Sequence, residues 1–206
     1  MFEDDPFEYV RRDLMETAGG GKFHHRPVSP AIHSPNSTPS PTDNETRRQS
    51  ASDFTRALMD QFESRVTEII SRYIQVHLQQ YSSNPSENWK AKDTAVFLLT
   101  SIAARGSTAQ HGVTSTNSLI DVVQFFSDHV VQDLQPDSAS KVHPIIVADA
   151  IKFLYTFRSQ LTKEQLVSVI PMLSPHLQSE SFVIHTYAAM TIERILNIRQ
   201  NNNAMT

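Results

Sequence analysis

Between Leu166 and Leu196 the apolar residues fall at helical spacing in two adjacent runs, and neither run can bury its stripe alone. The first carries Leu166, Val169, Ile170, Leu173 and Leu177. Pro171 interrupts it and removes one amide donor, so a bend is expected there. The second carries Ile184, Tyr187, Ala188, Ile192 and Ile195, and its Ala188-Ala189 pair lets a neighbouring helix approach closely. A short polar turn joins the two.

Upstream the same pattern repeats. One helix face carries Phe54, Ala57 and Leu58, and a longer helix over about 62–81 carries Phe62, Val66, Ile69, Ile70, Tyr73, Ile74 and Leu78. Asn84-Pro85 stops it. Ala91, Ala95, Leu98, Leu99 and Ile102 mark a helix that Gly106 ends. A Ser/Thr-rich loop follows. Leu119, Val122, Val123, Phe126, Val130 and Leu134 mark the next helix, and Val147, Ala150, Ile151 and Leu154 another. No run alternates convincingly as a strand. Helix starts near 88, 142 and 181 lie roughly 40–55 residues apart, bracketing the ~40–47-residue period of HEAT and armadillo units. The predicted fold is all-α, an α-solenoid of stacked helix pairs over residues 43–206, a class that usually holds other proteins rather than catalysing reactions.

The N-terminal part divides in two. Residues 1–14 form an acidic and aromatic loop or short helix. Residues 15–42 hold three of the five glycines and five of the eleven prolines, a composition expected to be disordered. Four Ser/Thr-Pro steps, at Ser29, Ser34, Thr38 and Ser40, are candidates for proline-directed phosphorylation, with Arg47 and Arg48 able to pair with the phosphates. The alternative is a neutral low-complexity insertion.

Net charge is −4, which argues against a general nucleic-acid binder. No run approaches the ~18 apolar residues of a membrane span. The absence of cysteine excludes disulfides and thiolate sites and fits a reducing compartment. No nucleophile motif, P-loop or dinucleotide fingerprint occurs, so no catalytic residue, cofactor or metal is expected. His24, His25 and His33 lack acidic or sulfur partners at ligand spacing. His185 is expected at a helix edge, bonded to a neighbouring turn, and His77, His129 and His176 at the surface. Trp89 is expected to anchor the start of its helix, with a partner contact as the minority alternative.

Several runs resemble the exportin-2 family of importin-α re-exporters, within the importin-β superfamily. They are FEDDPFEYVRRDL from Phe2 to Leu14, the NP…NWKAKD…LLTS pattern from Asn84 to Ser101, QHGVT from Gln110 to Thr114, ADAIKF from Ala148 to Phe153, and SVIPML, HLQ and HTYAA between Ser168 and Ala189. The resemblance covers residues 1–14 and 43–206, and residues 15–42 depart from it. It implies HEAT repeats, shuttling between nucleus and cytoplasm, and three kinds of partner: Ran in its GTP form, importin-α and nuclear pore proteins. It also implies that Glu3, Asp4, Asp5, Glu8, Arg11, Arg12 and Asp13 lie at a contact loop for Ran or importin-α. The alternative is a solvated turn whose Arg–Asp pairs tie the loop to its own helix.

A rival of another class is a HEAT scaffold in a cytosolic assembly with no Ran dependence. The resemblance also places both ends of the chain inside the family's length. The last helix, through Ile195 and Ile198, is therefore expected to present apolar surface to a further repeat. The isolated polypeptide should then be marginally stable or self-associate, which light scattering checks directly.

Overall fold

The structure is a computed structural model that describes residues 2–11, 47–108, 111–135 and 142–198. A short helix α1 spans residues 6–11. It is followed by α2 (Arg47–Ser83), α3 (Trp89–Ala103), β1 (Ala104–Thr108), β2 (Gly112–Thr116), α4 (Val122–Phe125), α5 (Pro144–Phe157), α6 (Lys163–Leu173) and α7 (Phe182–Leu196). Helices pack as successive pairs, α2 on α3 and α6 on α7, while α3, α5 and α7 stack across the pairs. The three starts expected near 88, 142 and 181 are the starts of these stacked helices. The core runs through them as one cluster, with Ala95, Ile102, Val147, Ile151, Leu154, Val183 and Ala188 fully enclosed.

Local chemistry explains the helix boundaries. Thr162 Oγ1 accepts from the Gln165 amide while the Gln165 side chain accepts from the Thr162 amide, a reciprocal capping box worth about 1 kcal/mol. Asp121 caps α4 through the Gln124 amide at 2.8 Å. His143 caps α5, its ring nitrogen accepting from Ile145, and Pro144 occupies the first turn where its missing donor costs nothing. The Trp89 indole stacks on the His143 ring at 3.9 Å, the anchoring role expected of it.

The chain departs from the sequence expectations in definite places. The Ser/Thr-rich segment after α3 is an antiparallel hairpin, not a loop, and α3 ends at Ala103 rather than at Gly106. Gly106 lies within β1, where the register shifts. The helical run 122–134 changes pitch, from α through a π turn at Phe126–Val130 to a 3-10 turn at Val131–Leu134. The widened turn moves the phase so that Phe125, Phe126, Val130 and Leu134 all point inward. Leu119 precedes this run and is exposed. Helix α6 continues through Pro171 and gives way to a 3-10 turn at Ser174–Gln178.

Phe54, Phe62, Ile69 and Tyr73 are exposed because they lie on the side of α2 turned away from α3, whereas Met59, Thr67 and Ile74 are buried. The expected separation of two helices survives as a kink, since Phe62 has non-helical angles (φ −136°, ψ 41°) inside α2. Leu177 is exposed, and of the alanine pair only Ala188 is buried.

Candidate partner-binding surface

The acidic segment folds on itself first. Asp5 Oδ1 accepts from the Glu8 amide at 3.0 Å and so caps α1, with Pro6 at the first helical position. Arg11 grips Glu8 with two hydrogen bonds, Nε to Oε2 at 2.6 Å and Nη2 to Oε1 at 2.7 Å. The Glu8 carboxylate raises the Arg11 guanidinium above its ordinary value. The apolar residues of the same segment anchor it: Phe2 meets Tyr9 edge-on at 5.2 Å, Phe7 lies 4.0 Å from Phe182 at the start of α7, and Val10 is buried. Glu3, Asp4 and Asp5 remain on the exposed edge. The structure thus brings Glu3, Asp4, Asp5, Glu8 and Arg11 together. Arg12, Asp13, Ser29, Ser34, Thr38 and Ser40 lie outside the described residues, as do His24, His25 and His33.

A second surface lies between the hairpin and the last helix pair. His111, Thr114, Arg158, Ser159 and Lys163 line its polar end, and Leu166, Val167, Ile170, Ile195, Leu196 and Ile198 its apolar end, around a groove of about 640 Å³. Leu196 is 70 % exposed there, but of the two residues expected to present apolar surface Ile195 is buried and Ile198 half-buried. Arg158 is itself fully buried. Its guanidinium donates to the Tyr155 carbonyl and stacks 4.8 Å from the Tyr155 ring, and burial lowers its proton affinity.

Several buried polar groups escape the periodicity. Lys92, 2 % exposed at its side chain, lies on α3 with Nζ 2.6 Å from Asp133 Oδ2 and 4.7 Å from the Tyr81 ring. Burial raises the Asp133 carboxyl above its ordinary value while Lys92 opposes it, and burial with the Asp133 charge raises the Tyr81 hydroxyl. His176, expected at the surface, is buried, and its Nε2 lies 3.0 Å from the Leu134 carbonyl. His185 does bond a neighbouring turn, with Nδ1 3.2 Å from the Ser179 carbonyl. Among the described residues, no His, Asp and Glu side chains gather as a metal site, and no helix is long and apolar enough to cross a membrane.

The geometry is that of a rack of helix pairs with two partly open surfaces, and known proteins share the underlying fold. A family model described as Cse1 matches residues 40–192. The chain belongs to the Cse1 family. Exportin-2 of Oreochromis niloticus is 41 % identical over 203 residues, covering 98 % of this chain and 18 % of the relative. Exportin-2 of Homo sapiens is 40 % identical over 203 residues with the same coverage. The importin alpha re-exporter of Saccharomyces cerevisiae is 40 % identical over 204 residues, 99 % of this chain and 18 % of the relative. A solved structure of the exportin Cse1 in its cargo-free, cytoplasmic state superposes with a TM-score of 0.78 at 40 % identity, covering 98 % of this chain and 19 % of that one. This Cse1-family chain therefore spans under a fifth of the length of these relatives. The all-α solenoid expected from the helix pattern is the fold they share.

Proposed function

We propose that this chain is a segment of a nuclear export receptor that carries importin-α from nucleus to cytoplasm in a complex with Ran in its GTP form. The carrying observation is the match over 98 % of the chain to the exportin Cse1 structure, together with the yeast importin alpha re-exporter at the same identity. In this reading the segment works by binding, not catalysis. It moves between nucleus and cytoplasm through the nuclear pore as part of the longer receptor. The stacked helices supply curvature, and the exposed edge of Glu3, Asp4 and Asp5 supplies a steering surface for a basic partner. The self-capped Asp5 and the Glu8–Arg11 pair hold that edge in one shape. Summed differential affinity of the superhelix for its cargo, with and without Ran-GTP, drives loading and release.

The test is a pull-down on a receptor of the relatives' full length that carries this segment. Importin-α is expected to be retained with Ran-GTP and lost with Ran-GDP, and equal retention in both nucleotide states would sink the reading. Replacing Glu3→Lys with Asp4→Lys in the same receptor is expected to slow complex formation at low ionic strength. The deficit should shrink as salt is raised.

A further inference from the structure

The hairpin at 104–116 is placed where α2 is weakest. The kink at Phe62 falls in the sequence Met59-Asp60-Gln61-Phe62-Glu63, without the proline or glycine that usually breaks a helix. Asp60 lies before the kink and Glu63 after it. The Arg105 guanidinium takes both, donating from Nη1 to Asp60 Oδ1 at 3.2 Å and from Nη2 to Glu63 Oε1. A second line crosses the same break. Asn117 Nδ2 donates to Thr67 Oγ1 at 2.9 Å and to the Ile102 carbonyl at 3.2 Å, and the Thr67 hydroxyl reaches Met59 Sδ at 3.8 Å.

The opposite edge of the hairpin grips the end of α5. Gln160 Nε2 donates to the Val113 carbonyl at 2.7 Å, and Ser159 Oγ donates to the His111 carbonyl. Gly112 seats against Thr156 and Arg158. Val113 is buried between the two grips.

Repeats in a solenoid touch only their neighbours, and shape changes accumulate at many soft joints. Polar side chains spanning both arms of a kinked helix and the next helix pair oppose that softness. We propose that the hairpin is a clasp. It fixes the kink of α2 and ties the first arm of α2 to the C-terminal end of α5, so that bending of the solenoid is displaced to joints outside residues 47–160.

The chain has no cysteine, so paired spin labels can be placed at will. Labels at Ala57→Cys and Gln75→Cys straddle the kink, and labels at Ala57→Cys and Lys163→Cys span both grips. Labels at Ser168→Cys and Ala189→Cys report on the α6–α7 pair alone. All five positions avoid the clasp. Arg105→Ala is expected to broaden the first two distance distributions at least about twofold, and Ser159→Ala with Gln160→Ala the second only, with the α6–α7 distribution unchanged. Unchanged widths in either variant, or equal broadening of the α6–α7 pair, would overturn the clasp.

A variant that fails to fold leaves a measurement on the unaltered chain. The Asn117 amide, bonded to the Ala103 carbonyl at 2.8 Å, is expected to exchange its hydrogen as slowly as the amides of α5. Exchange at the rate of an open loop, with the helices still protected, would equally overturn it.

Discussion

Lys92→Met alone is expected to destabilise the fold by about 3–5 kcal/mol, because it leaves the Asp133 carboxylate without its counter-charge. Both side chains are almost wholly enclosed, at 2 % and 6 % exposure. Breaking such a pair from one side removes the attraction and keeps the desolvation of the survivor. Equilibrium unfolding in urea, followed by far-UV circular dichroism, reads the loss. A change below about 1 kcal/mol would mean that water reaches the carboxylate.

The paired replacement carries the opposite expectation. Lys92→Met with Asp133→Leu fills the space with apolar groups and removes both desolvation costs, so it is expected to match or exceed the parent stability. The direction of the Asp133 shift supports this. Burial outweighs Lys92 and raises the carboxyl above 3.8. An acid whose folded value is raised binds its proton more tightly in the fold than in the unfolded chain. Its contribution is therefore most favourable in acid and declines as pH rises from 3.8 through the raised value. The double variant should lose that decline. The pair is better understood as a register device between α3 and the 3-10 turn at Val131–Leu134 than as a source of stability.

The solenoid was legible in the chain because burial repeats at helical spacing. Val147, Ala150, Ile151 and Leu154 all face the core, as their spacing demands. The same logic misplaced Phe54, Phe62 and Tyr73, because a helix with apolar residues on two faces does not announce which face its neighbour covers. Lys92 and Asp133 lie 41 positions apart and each reads as a solvated charge; only the fold brings them together. The hairpin was hidden for a related reason. Ala104–Thr108 and Gly112–Thr116 carry little apolar alternation, since Val113 is the one buried residue among those described there and the rest of their order comes from Arg105, Asn117 and Gln160. Glycine at 112 was the one local signal. At the acidic segment, the Asp5 cap and the Glu8–Arg11 pair follow from helix spacing alone, but the docking of Phe7 on Phe182 joins positions 175 residues apart.

Gly112→Val is expected to lift the hairpin from α5 at a cost of about 3–5 kcal/mol, the range of mutations that combine backbone strain with a lost packing contact. Gly112 has φ +74°, in the left-handed region that a β-branched residue enters only with strain. A Cβ at this position would also collide with the Thr156 carbonyl oxygen and lie 2.7 Å from Arg158 Nη1. Backbone cannot yield as a side-chain end can, so the strand must move. Its departure exposes Val113, which is 1 % exposed in the fold, and that burial alone is worth about 1.5–3 kcal/mol. Gly106→Ala is the matched comparison. Its φ is not positive, and the added Cβ comes close only to side-chain hydroxyls, Ser115 at 2.9 Å, which can rotate away, and Thr114 at an ordinary 3.5 Å. That variant is expected to lose under about 1 kcal/mol. Thermal melts of the two variants side by side decide the point: equal losses would mean that close seating of the hairpin on α5 contributes nothing beyond the general cost of replacing glycine in a strand.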